Sequence, residues 1–129
     1  MTRVLFVGQK PETVDYSDPS LPPGFNADKI NAGIDIAKAT MTARGWDGDL
    51  CMISPDDAGI AALAAQLGKA DYDCVVVGGG LRLPPKGLPF FERVVNAIHQ
   101  NAPKAAIAFN TRPEDTAEAA ARWIAADRR

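Results

Sequence analysis

Three kinds of residue are scarce in this chain, and each scarcity removes a class of function. Only two cysteines occur, Cys51 and Cys74, and both fall in apolar stretches without CxxC spacing. They read as buried free thiols, not as a redox pair or a disulfide framework. His99 is the one histidine, so no zinc-type ligand cluster can be assembled from spacing and no metal is expected. Basic residues are not in excess: 14 Lys and Arg stand against 16 Asp and Glu, a net charge of −2. That balance lacks the electrostatic footprint of a nucleic-acid binder. Long apolar runs are missing too, none approaching the ~20 residues that span a bilayer. The first strand begins almost at once, with no charged-then-apolar leader, so the expected location is cytoplasmic.

What remains is an ordinary globular composition, 47% hydrophobic and 23% charged over 129 residues. A chain of that length is one domain able to bury about two thirds of its unfolded surface. The organising stretch is DYDCVVVGGGLR, residues 71–82. Its four apolar residues, three of them β-branched, predict a strand buried on both faces. Three glycines then end it, where the backbone can take positive φ or admit another group closely. Arg82 follows, and Leu83-Pro84-Pro85 continues neither strand nor helix easily.

Three further apolar runs predict strands at residues 3–8 (RVLFVG), 49–54 (DLCMIS) and 105–109 (AAIAF). Helical periodicity separates them. The first helix runs from an Asn26 cap to about Arg44, with Ile30, Gly33, Ile34, Ala37 and Met41 as its buried stripe and Gly45 as its C-terminal glycine. The second opens on a Ser54 cap with Pro55, Asp56 and Asp57 in its first turn, and buries Ile60, Leu63, Ala64 and Leu67. Phe91, Val94, Val95 and Ile98 define the third. In the last, Thr111 and Glu114 have capping-box spacing, and Ala117, Ala120, Ala121 and Ile124 face inward beside Trp123. Asp127-Arg128-Arg129 reads as a solvated tail.

The order βαβαβαβα with continuous apolar strands predicts a three-layer αβα sandwich. Its expected form is flavodoxin-like, a four-stranded parallel sheet in the order 2-1-3-4. Ligands of such folds sit beyond the carboxyl ends of the strands, where the strand order reverses. Here that point lies between strands one and three. Residues 10–25 (KPETVDYSDPSLPPGF) leave strand one there as a loop of sixteen residues, far beyond the common ~2–6, and are read as a lid. Residues 81–89 form a second proline-rich loop.

The loops meeting at the crevice offer Gln9 and Lys10 from strand one, Gly78, Gly79, Gly80 and Arg82 from strand three, and Asn110, Thr111 and Arg112 from strand four. Glycine-turn amides and arginine forks bind anions, so an anionic or phosphate-bearing small ligand is the sharp expectation. The plain alternative is a tight glycine turn with Arg82 paired to Asp15 or Asp18. Named motifs fail: the glycine spacing is not GxGxxG, and a P-loop, the paired acids of a receiver domain, GxSxG and a Ser/Thr-rich phosphate loop are all missing. His99, near a helix C-terminus, and Asp56, Asp57, Asp115 and Glu118, in first turns, are explained by helix dipoles. Tyr16 is an exposed loop tyrosine, and Trp46 and Trp123 are packing residues.

The half spanning VVVGGGLR, FFERVVNAIHQNAP and FNTRPEDTAEAAARW resembles a family of small bacterial proteins of uncharacterised activity. Members share a GxGxR-like turn and an FNTxPxDTxEAxxRW-like ending. The matching polar positions are Gly78, Gly80, Arg82, Asn96, Asn110, Thr111, Pro113, Asp115, Thr116 and Arg122. The resemblance implies the flavodoxin-like sandwich and supplies no catalytic residue or cofactor. Three functional readings follow: a module binding an anionic small molecule, a non-catalytic homodimer, and a hydrolase or transferase on a phosphorylated substrate using Lys10, Asn110 and Arg112. For the homodimer, the exposed edge of strand four or the small Ala117, Ala120 and Ala121 would make the contact.

Overall fold

The computed structural model describes residues 2–21 and 23–124, so the predicted tail at residues 127–129 lies outside the described residues. Strands β1 (Arg3–Gln9), β2 (Asp47–Ile53), β3 (Cys74–Val77) and β4 (Ala106–Phe109) form a parallel sheet in the order β2-β1-β3-β4. Val4 lies opposite Gly48 on one side and Cys74 on the other, and Cys74 in turn faces Ala106. The side chains alternate between two cores, as period-two geometry requires. Val4, Phe6, Cys74, Val76 and Ala108 pack beneath α1 (Ala27–Ala43) and α5 (Thr116–Ile124). Leu5, Val7, Val75 and Val77 pack beneath α2 (Asp57–Leu67) and α4 (Leu88–Asn101). Both faces are therefore covered, which is why these strands are apolar without a break. The fold is the flavodoxin-like three-layer sandwich.

Several local expectations are met. Asn26 caps α1, its side chain accepting from the Lys29 amide at 2.9 Å, and Gly45 ends the helix region at φ 79°. The five-residue stripe of α1 is buried as the periodicity predicts. Others are corrected. The cap of α2 is Asp56, not Ser54: its carboxylate accepts from the Gly59 amide at 2.9 Å, while the Ser54 hydroxyl donates to Asp56. Pro55 sits ahead of the cap. Residues 81–89 are not an open loop. Gly79–Arg82 forms a one-turn helix, α3, Pro85–Gly87 a 3-10 turn, and Pro89 lies in the first turn of α4, where its missing N–H costs no intrahelical bond.

Of the two uses expected of the glycine run, close approach is met and positive φ is not. Gly78 is extended (φ −73°, ψ 152°), and the positive-φ glycines among the described residues are Gly24 and Gly45. Gly78 is small for another reason: a Cβ there would fall 3.2 Å from both the Phe6 ring and the Val7 carbonyl oxygen. Residues 10–25 begin with a 3-10 turn at Pro11–Thr13. Side-chain turns then follow, Asp15 accepting from the Ser17 amide and Asp18 from the Ser20 amide. The Tyr16 hydroxyl donates to the Pro11 carbonyl at 2.7 Å, and its ring tilts against Phe25.

Candidate functional site

A cavity of about 500 Å³ opens at the carboxyl ends of β1 and β3, on the α1 side of the sheet. Phe6, Gly8 and Gln9 from β1, Met52 from β2 and Gly78 after β3 contribute to its lining. The first two turns of α1 wall it through Lys29, Ile30, Gly33 and Ile34. Val14, Leu21, Pro23 and Phe25 bring residues from the 10–25 segment onto it. Beside α3 and the turn before α5, Gly79, Gly80, Leu83, Thr111, Arg112 and Glu114 complete it. Its size is that of an ordinary small-molecule site.

The sequence-predicted residues divide into three groups. Gln9, Gly78, Gly79, Gly80, Thr111 and Arg112 line the cavity. Arg82 and Asn110 lie behind the wall and hold it. Asn110 is only 1% exposed. Its Oδ1 accepts from the Gly79 amide at 3.0 Å, and its Nδ2 donates to the Thr116 hydroxyl at 2.9 Å. That hydroxyl donates to the Pro113 carbonyl at 2.6 Å. A guanidinium nitrogen of Arg82 donates to the Asn110 carbonyl at 2.8 Å, while its buried Nε has no partner among the described residues. The expected pairing of Arg82 with Asp15 or Asp18 is not made; Lys86 is the cation that meets Asp15, at 3.5 Å. Lys10 stands apart from the cavity. Its amide bonds the Ile53 carbonyl, and its charge helps to hold Asp56 below its ordinary value, contributing less than the bonds from Ser54 and Gly59.

Most backbone donors at this end are already used. Gly79 gives its N–H to Asn110, and Thr111 gives both its amide and its hydroxyl to the Asp115 carboxylate. Asp115 therefore closes the turn that Glu114 was expected to cap. The amides of Gly80 and Glu114 are exceptions, with no partner among the described residues, and a Cβ at Gly80 would meet open space. Lys29, Arg112 and Glu114 carry charge at the cavity, and none belongs to an ion pair among the described residues.

Sequence reasoning missed the whole α1 wall, together with Glu114 and Met52. One signal pointed to it: Gly33 lies in mid-helix on the buried stripe, where glycine is unfavourable unless something comes close. A Cβ at Gly33 would fall 2.7 Å from Glu114 Oε1 and 3.1 Å from Pro113 Cβ. The close approach is to the turn before α5.

Elsewhere the reactive groups are quiet. Burial pushes the Cys74 thiol up to about 12, helped by the nearby Asp73 charge, and burial likewise raises Cys51. Both are free thiols in the core. His99 is exposed in the last turn of α4. Among the described residues no three His, Cys, Asp or Glu side chains are placed to hold a metal ion. No described helix is long and apolar enough to cross a membrane. Ala117 and Ala120 are buried in their own core, so they offer no surface for a second copy.

In comparisons with known proteins, no family model and no curated protein sequence matches the chain. The likeness of the Cys74–Trp123 half to a bacterial family finds no counterpart there.

Proposed function

We propose that this protein is a small-ligand binding module that holds an anionic organic molecule in the cavity at the carboxyl ends of β1 and β3, with residues 10–25 as its lid. One observation carries the reading. Lys29 and Arg112 both face a cavity of about 500 Å³, and among the described residues neither is neutralised by a neighbouring acid in an ion pair. Unpaired cations around an apolar concavity attract an anion strongly because the walls exclude water and focus the field. The position is the one where folds of this topology place their ligands. No thiol, imidazole or serine hydroxyl is among the described residues lining the cavity, so binding is favoured over nucleophilic catalysis.

Thermal unfolding against a panel of phosphates, nucleotides and organic acids tests it. A ligand at a hundred times its dissociation constant adds ~2.7 kcal/mol, which for this size raises the midpoint by several degrees. Arg112→Ala should shrink that rise while leaving the ligand-free midpoint unchanged, because Arg112 is exposed and its side chain is in no ion pair among the described residues. A flat panel would sink the proposal.

A further inference from the structure

The cavity offers a ligand very unequal amounts of apolar surface and hydrogen bonding. Phe6, Phe25, Ile30, Ile34, Met52 and Leu83 all line it. Against that surface stands a thin supply of donors. A phosphate group is held by several converging backbone N–H groups, and here those of Gly79 and Thr111 are spent on Asn110 and Asp115. The amides of Gly80 and Glu114 are the two at the cavity's α3–α5 side without a partner among the described residues. The charges at the site sum to +1, from Lys29 and Arg112 against Glu114. One negative charge on the ligand neutralises that sum, and a second would leave the occupied site with a net negative charge that includes the Glu114 carboxylate.

We infer, resting on the binding reading above, that the occupant is an amphipathic organic monoanion: an apolar, ring-sized body bearing one carboxylate-type group, and not a phosphate ester. The apolar body fills the space between the α1 wall and the Phe6–Met52 floor. The anionic group lies toward Gly80 and Arg112. Leu83, 41% exposed and also lining the cavity, covers the body from the α3 side.

Isothermal titration with three probes tests this: 2-naphthoate, its neutral isostere 2-naphthamide, and inorganic phosphate. The expected result is saturable binding of 2-naphthoate, binding of the amide weaker by about tenfold, and no saturation by millimolar phosphate. Arg112→Ala should bring the naphthoate affinity down to that of the amide and leave the amide unchanged. Glu114→Gln should tighten naphthoate by about threefold, again leaving the amide unchanged, because it removes a like charge. Leu83→Asp, at a position 41% exposed, should weaken naphthoate by about tenfold or more.

Phosphate or a nucleotide binding as tightly as naphthoate would overturn the amphipathic-monoanion inference while the anion site stood. Equal affinity for acid and amide would overturn the charge requirement, and indifference to Leu83→Asp would place naphthoate elsewhere. If no probe bound saturably while the thermal panel found another anion, this inference alone would fall. A flat panel as well would take the binding reading with it.

Discussion

At the amino ends of the strands, polar side chains tie the starts of β1, β2 and β3 together, whereas at the carboxyl end β3 runs out into glycine and a cavity lies beside it. Arg3 pairs with Asp47 at 2.8 Å, and its amide donates to Asp73 at 2.9 Å. The Tyr72 hydroxyl donates to Asp49 and accepts from Gln66, both at 2.7 Å, joining β2, α2 and the approach to β3. At the other end the β1–β3 pairing stops at Val7 and Val77, and the polar side-chain ties lie to one side, in the Arg82–Asn110–Thr116 chain between β3 and α5. One end is fastened across the sheet. At the other, the buried side-chain ties among the described residues run along the β3–α5 wall, and the cavity lies beside it. A ligand site built this way depends on the rigidity of that single wall.

Asn110→Ala is therefore the most damaging change expected. It leaves the Gly79 amide and the Thr116 Oγ1 without the partner they have, in a position 1% exposed. Each orphaned buried group costs roughly 1–3 kcal/mol, so a loss of about 2–4 kcal/mol in urea unfolding is expected. Ligand affinity should fall with it, because the α3 turn would no longer be pinned to β4. A loss under about 1 kcal/mol would mean that water replaces the amide, and the contrast between the two ends would lose its basis.

The sheet was legible because its strands are buried on both faces. Four continuous apolar runs between amphipathic helices admit few alternatives, and VVVGGG located the site end. What escaped the sequence is side-chain geometry at turns. Ser54 and Asp56 are both competent caps two residues apart, and only the backbone geometry selects Asp56. Arg82 read as an anion fork, yet it is spent on a carbonyl that lies 28 residues away in sequence. The α1 wall depends on a contact between Gly33 and Glu114, 81 positions apart by their residue numbers, which no local spacing reveals. Of the candidate site, the strand-end residues were readable and the opposite wall was not.

The amino end makes a prediction in alkali. Burial first, then the hydrogen bond to Asp49, pushes Tyr72 up to about 12 from an ordinary 10.0, and Cys74 goes to about 12 from 9.0. The folded chain thus holds these protons more tightly than the unfolded chain does. Stability is fully present below about pH 9 and is lost as pH rises toward 12. Urea midpoints measured between pH 8 and 11.5 should fall, and Tyr72→Phe with Cys74→Ala should flatten the fall. An unchanged slope in that double variant would assign the alkaline loss to other groups. At neutral pH, Tyr72→Phe alone should cost about 1 kcal/mol, since Asp49 is half-buried and water can reach it. That is smaller than the Asn110 effect, which is the order the comparison requires.

The smallest effect is expected at Lys86, which bridges the 10–25 segment to the α3–α4 connection. The ion pair spans 3.5 Å between side chains 75% and 53% exposed, so water and salt screen it heavily. Asp15 is held below its ordinary value first by the Ser17 hydroxyl and amide, with Lys86 contributing less. The local turn, not the ion pair, therefore fixes Asp15. Apolar contacts do the remaining work, since Val14 and Phe25 pack against the core on the α1 side. Lys86→Ala should accordingly leave both the thermal midpoint and the rate of proteolytic cleavage within residues 10–25 unchanged, as should 0.5 M salt. Faster cleavage in the variant would make Lys86 a latch on the lid, and the carboxyl end would then have a second polar fastening besides Asn110.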